Sequence, residues 1–399
     1  MNDATLQYAN QHADDDVRQL ALRGCKDKNV DMVLALQQIR GRQSARRKLP
    51  SWAAIDWLLY PPQLNMEQCS SEATARYKAM LCQRLLAEAA LPCPTLTDLT
   101  GGFGVDIAFM SAHFHQATYV ERNTALAATA AHNLRLLGSN TSCVCADAEQ
   151  FLAAMQPCTM IYADPARRDN SGARTYAIGD CVPDVLTLSQ QLLTKGRYVL
   201  LKLSPMLDWR KAVADLGEQH VSEVHIVAVD GECKELLLLL TNQDCGQLRL
   251  CCANNDSCHW LTASDLSLPA APPAAHITAG DCLYVPDATM MKAGCFTWIA
   301  TRFGVAPMAH DSHLFVASQP VASFPGRAFT VTAVTTLNKR ELRHTLAGLT
   351  RANIAVRNFP LSADQLRQRL RVADGGPDYL FGTTTADGRH VVIVCHRLT

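Results

Sequence analysis

The sequence predicts an α/β protein: a seven-stranded, mostly parallel sheet with a helical region before it and a small α+β module after it. Three observations carry this. Residues 1–90 repeat apolar positions at three- and four-residue intervals, residues 94–241 alternate short apolar runs with helical stretches, and only "DGECK" separates the last two runs. Alternating strands and helices imply right-handed crossovers and a parallel sheet covered on both faces. The short final link forces the last strand to turn back antiparallel.

In the first region, "DVRQLALRGC", "VDMVLALQQI" and "SSEATARYKAMLCQRLLAEA" read as helices, the last capped by Ser70 or Ser71. Between them "IRGRQSARRKLPSW" holds five basic residues before Pro50, either a solvated helix end or a phosphate-facing patch. The sheet is read from "TLTDL", "ATYVE", "SCVCA", "MIYA", "YVLLKL", "VHIVAV" and "ELLLLL", with helices expected to begin near Val105, Asn123, Ala148, Val182 and Asp208. After residue 242 an irregular cysteine-containing stretch leads to the linker "LSLPAAPPAAH", and "YVPDATMMKAGCFTWIATRFG" is expected to be one helix. A last module then reads "AFTVTAVTT" strand, "NKRELRHTLAGLT" helix, "IAVRNF" strand, "SADQLRQRLRV" helix and "HVVIVCHR" strand. The expected divisions are 1–90, 91–242, 243–320 and 321–399.

Composition excludes several classes. At 48% hydrophobic and 19% charged over 399 residues, the chain is globular and long enough for about two or three domains. No apolar leader occupies the first twenty residues and no stretch approaches the roughly 18 apolar residues of a membrane span, so a cytoplasmic protein is expected. The sixteen cysteines are dispersed, and Cys245, Cys251, Cys252, Cys258 and His259 lack a Cys-x-x-Cys spacing, so no metal site is expected. Formal net charge is zero, but residues 321–399 carry 11 Lys and Arg against 5 Asp and Glu. That asymmetry hints at nucleic acid.

The chemistry gathers at strand ends. "DLTGGFGVD" sets Asp98, Gly102 and Gly104 after the first strand, a loop whose glycines let backbone approach a nucleotide cofactor. A dinucleotide fingerprint wants a third glycine where Ile107 stands, which weakens NAD, whereas the early acid suits a cofactor bearing an ammonium and a sulfonium. The second strand ends in Glu121, placed to hold a ribose diol. The third ends in Asp147, able to accept from an adenine amino group, and the fourth in Asp164-Pro165. Singly, each acid also reads as a helix cap or turn residue. Together they line the carboxyl edge where open parallel sheets bind ligands.

These motifs resemble a class I S-adenosylmethionine-dependent methyltransferase with a Rossmann-like sheet. More narrowly, "LQQIRGRQSARRKLPSW", "SSEATARYKA", "DLTGGFGVD", "DPARR", "KLSPMLD" and "FPGRAFTV…VRNFPLSADQLRQRL" resemble a bacterial methyltransferase family with a THUMP-like carboxyl domain. The resemblance implies that Asp98, Gly102 and Gly104 surround the methionine moiety, Glu121 the ribose and Asp147 the adenine. It also brings Ser71 and Thr74 forward as cofactor contacts, with helix capping as their alternative. Asp164 and Pro165 become the acceptor-binding pair, although Ala166 and Arg167 replace the proline and aromatic that amino-methylating relatives carry there.

Arg167, Arg168 and Arg174 suit substrate phosphates or base stacking, and Tyr176 suits stacking. Lys202, after the fifth strand, either orients the acceptor or caps a strand end. No cysteine sits where attack on a pyrimidine carbon would need one, so nitrogen or oxygen methylation of RNA is expected. Two other classes stay open: a noncatalytic RNA-binding protein on this fold, and an NAD(P)-linked oxidoreductase.

Overall fold

In a computed structural model, which describes residues 1–167, 178–243, 246–274 and 276–398, the chain divides into two compact units. Met1–Val229 with Lys234–Leu248 form the first, and Asp230–Cys233 with the residues from Arg249 onward form the second. Among the described residues no helix is long and apolar enough to cross a membrane.

The first unit opens with helices, the longest being Met32–Lys48 and Glu72–Ala89. Glu72–Ala89 starts where the Ser71 side chain accepts the Thr74 N–H, and it stops where Ala90 turns left-handed at φ +48°. Its buried face, including Ala75, Lys78, Ala79, Cys82 and Leu85, follows the three- and four-residue spacing of an amphipathic helix. Leu81, Cys82 and Leu85 pack with Leu96, Met160, Leu200 and Leu237 of the sheet in one apolar core. Of the basic run before Pro50, Arg42 pairs with Asp56, Arg46 with Asp14, and Lys48 donates to the carbonyls of Met66 and Glu67. Those three cations serve the helical region itself.

The strands are β1 Thr95–Asp98, β2 Gln116–Glu121, β3 Thr141–Cys145, β4 Cys158–Ala163, β5 Gly196–Leu203, β6 Val221–Val229 and β7 Glu232–Thr241, followed by β8 Arg249–Asn254 and β9 Ser257–Thr262. Within the first unit the order is β6-β7-β5-β4-β1-β2-β3. β1 through β5 pair in parallel and β7 runs antiparallel to β5. In the second unit β8 and β9 form an antiparallel hairpin, from the cysteine-rich stretch expected to be irregular. Cysteines there behave as small buried apolar residues, and both Cys251 and Cys252 are covered.

Two helix expectations also change. The helix expected near Val182 begins at Ser189; Cys181–Val182 instead pairs antiparallel with Ala166–Arg167. "YVPDATMMKAGCFTWIATRFG" is β10 Cys282–Pro286 followed by the helices Ala288–Ala293 and Phe296–Phe303. Asp287 caps the first of these through the N–H groups of Thr289 and Met290, and Gly294 at φ +67° separates the two.

The second unit carries a seven-stranded sheet with β11 Ala306–Pro307, β12 Phe315–Ala317, β13 Gly326–Thr336, β14 Arg351–Arg357, β15 Ala373–Thr384 and β16 His390–Arg397, in the order β11-β12-β10-β13-β16-β15-β14. It draws strands from both sides of residue 320. Leu366 of the helix Ala363–Leu370 packs with Ala352, Leu380 and Val392 of this sheet.

Candidate active site

The carboxyl ends of β1, β2 and β4 are tied together by backbone and side-chain hydrogen bonds before any ligand is considered. After Asp98 the chain turns through Gly102 (φ +53°) and Gly104 (φ +84°) into the helix Val105–Met110. A side chain is impossible at Gly101, where a Cβ would stand 2.1 Å from the Tyr119 ring. The Tyr119 hydroxyl donates to the Gly102 carbonyl at 2.6 Å, and the Gly102 N–H donates to Glu121 Oε2 at 3.0 Å. Glu121 Oε1 accepts the Asn123 N–H at 2.8 Å. Asp98 accepts the Thr100 N–H at 2.9 Å, and the Thr100 hydroxyl accepts the Asp164 N–H at 2.6 Å. Thr100 therefore fixes the first and fourth strand ends relative to each other.

One cleft of about 860 Å³ brings together Asp98, Gly102, Gly104, Glu121, Asp147, Asp164, Pro165 and Lys202. The Asp164 carboxylate is ion-paired and hydrogen-bonded to the Lys202 ammonium. Asp147 also caps the helix Ala148–Ala154, accepting the N–H groups of Glu149 and Gln150 at 3.0 and 3.2 Å. Ser71 and Thr74 are not among the cleft residues: their hydroxyls bond within the first turn of their own helix. Arg167 contributes backbone to the short ladder beside the cleft, while Arg168, Arg174 and Tyr176 lie outside the described residues.

Beneath the cleft lies a polar cluster that spacing arguments missed. Lys78, fully buried, is ion-paired to Glu235 at 2.5 Å and to Asp106 at 3.1 Å. Asp106 Oδ2 accepts from the Ser70 hydroxyl at 2.8 Å and from the Tyr162 hydroxyl at 2.7 Å. Ser70, Asp106 and Tyr162 line the cleft. A signal existed: Lys78 falls on the apolar face of an amphipathic helix, where an unpaired ammonium would be prohibitively costly, so acids had to face it.

Burial raises the Asp98 carboxyl well above its ordinary range against the Thr100 hydrogen bond, with Asp106, Asp164 and Glu121 adding repulsion. Burial also opposes the charge on Asp106, but the Lys78 ammonium, then Lys202 and the Tyr162 and Ser70 hydrogen bonds, outweigh it and keep Asp106 ionised. Asp164 is raised by burial despite Lys202, and Lys202 is held protonated by Asp164, Asp106 and Glu235 against its own burial.

The crystal structure of a "putative methyltransferase" from Porphyromonas gingivalis W83 superposes with a TM-score of 0.87 at 31% sequence identity, over 99% of this chain and 98% of that one. The chain belongs to that bacterial methyltransferase family. Residues 326–397 of this methyltransferase-family chain match the family described as THUMP domain-like, and residues 283–325 match a ferredoxin-like domain. An S-adenosylmethionine-dependent methyltransferase from Agrobacterium tumefaciens aligns at 15% identity and a TM-score of 0.32, over 42% of this chain and 62% of that one. A 16S rRNA N2 G1207 methyltransferase from T. thermophilus, in complex with AdoMet and guanosine, aligns at 11% identity and a TM-score of 0.34, over 46% of each chain. Neither superposition is close enough to bear on this chain's site. No curated protein sequence matches it.

Proposed function

We propose that the protein transfers a methyl group from S-adenosylmethionine to a nitrogen, or an oxygen, of RNA. The observation that carries this is the convergence of four strand-end acids, a glycine loop and the Asp164–Lys202 pair on one cleft. The residues fit the cofactor. Each Glu121 oxygen accepts one backbone N–H and keeps a lone pair for a ribose hydroxyl, and a Cβ at Gly102 would meet nothing nearer than the Thr100 carbonyl at 3.7 Å, so backbone there can lie against a ligand. When bound, S-adenosylmethionine supplies an electrophilic methyl carbon on a positively charged sulfur.

The protein's part is to position the acceptor and take its proton. Thr100 fixes the Asp164 backbone and Lys202 holds its carboxylate in one orientation. Asp164 accepts a hydrogen bond from the acceptor N–H or O–H, and its raised proton affinity suits it to receive the proton as the new bond to carbon forms. Pro165 stiffens the turn that presents this carboxylate. The arginines that follow in sequence, Arg167, Arg168 and Arg174, are assigned to substrate phosphates, and Tyr176 to stacking on the target base.

RNA as the acceptor rests on the THUMP-like match and on the basic segment 321–399, where Arg340, Arg343, Arg351, Arg369 and Arg371 are exposed. Isothermal titration of the full chain tests the cofactor: S-adenosylmethionine binds at one site and NAD does not. Binding of NAD alone would return the protein to the oxidoreductase class.

A further inference from the structure

The cluster under the cleft has one carboxylate too many. Lys78 is a single ammonium shared by Asp106 and Glu235, and all three are buried: Lys78 is 0%, Glu235 2% and Asp106 9% exposed. Nearby, Lys202 is matched by Asp164 in a further ion pair. These ion pairs therefore set three carboxylates, Asp106, Glu235 and Asp164, against two ammonium groups, Lys78 and Lys202.

The surplus has an address. Lys78 directs its hydrogen bonds to Glu235 Oε2 at 2.5 Å and the Ser70 hydroxyl at 3.3 Å, and among the described residues no donor is aligned on Asp106 Oδ1, although Lys78 stands 3.1 Å from it. Asp106 is also the one of the two acids that forms cleft wall. A buried charge without full compensation is costly unless something cationic arrives.

We infer that the surplus negative charge centred on Asp106 is the element by which the cleft tells the cationic methyl donor from its neutral product. The inference rests on the methyltransferase reading. With its carboxylate and ammonium cancelling, S-adenosylmethionine carries one net positive charge on sulfur; after methyl transfer, S-adenosylhomocysteine carries none and otherwise offers the same shape. A fixed charge that favours the first and is indifferent to the second assists exchange of product for fresh donor. Asp106 thus adds a second acid to the charge recognition that the sequence suggested for Asp98, whose own charge burial opposes.

Calorimetric affinities for both ligands test this on the full chain, in wild type and in Asp106→Asn and Glu235→Gln. Each substitution removes the surplus while leaving Lys78 one partner, so neither strands a buried cation. Each should lower the preference for S-adenosylmethionine over S-adenosylhomocysteine about tenfold, the effect of one charge at several ångströms in a partly buried site. S-adenosylhomocysteine affinity, which also reports an intact cleft, should stay within about twofold of wild type. An unchanged preference in both variants, or equal loss of both ligands in both, overturns the inference and leaves the cofactor assignment standing. Failure of wild type to bind either ligand overturns the methyltransferase reading and the inference with it.

Discussion

Asp164 is held from two sides, by Thr100 at its N–H and by Lys202 at its carboxylate, and those contacts separate its roles as turn residue and acceptor ligand. Asp164→Asn keeps the backbone hydrogen bond and the side-chain shape but removes the charge. Single-turnover assays should show a rate at least tenfold lower with S-adenosylmethionine affinity and melting temperature near wild type. Near wild-type turnover would reduce Asp164 to a turn residue. At Glu121, whose two oxygens bridge Gly102 and Asn123, substitution by alanine should weaken the cofactor by about 1.5–3 kcal/mol. Unchanged affinity on titration would show that the acid serves the loop alone. Strand-end acids are legible in sequence because they follow apolar runs directly. Asp106 and Glu235 were not, since each lies within an element and only the tertiary fold brings them to Lys78, whose place on an apolar helix face was the one signal. Ser71 shows the converse: the motif was visible, but its hydroxyl caps a helix while its neighbour Ser70 reaches the cleft.

At the scale of elements, the helix Glu72–Ala89 is fastened to β6 by a second buried network. Tyr77 and Arg84, seven residues apart on one helical face, meet His225 and Glu223, two residues apart on one strand face. Burial opposes the Glu223 charge, but hydrogen bonds and charges from His225 and Arg84 outweigh it and bring its carboxyl down to about 2. A folded value below the unfolded one means that this stability is present above about pH 4.5 and is lost as pH falls toward 2. Thermal melts should show a steep acid limb that is shallower in Glu223→Gln; identical acid limbs would contradict the assignment. Most of the alternating strands and helices could be read because strands buried on both faces are near-continuous apolar runs, as in "YVLLKL" and "ELLLLL". The reading failed where residue types carry double meanings. Cysteines in β8 and β9 concealed a hairpin, the whole of β15, with Gly375 and Gly376 at positive φ near its start, was not read as a strand, and Asp287 with Gly294 broke one expected helix into a strand and two short helices.

Over the whole molecule the two units carry different halves of the proposed activity, the cleft in one and the exposed arginines in the other. Removing residues 321–399 would strip β10 of its partner β13, so surface substitutions make the cleaner test. Arg340→Ala with Arg343→Ala should weaken RNA binding and reduce its salt dependence by roughly one to two released counterions, leaving cofactor affinity alone. An unchanged salt slope would remove this surface from the RNA interface. The central claim is methyl transfer, and its most direct measurement uses S-adenosylmethionine labelled in the methyl group with RNA from a strain lacking this protein. The account predicts that label enters RNA with wild-type protein and enters at least tenfold more slowly with Asp164→Asn. A wild-type protein that binds the cofactor yet labels no RNA would contradict it.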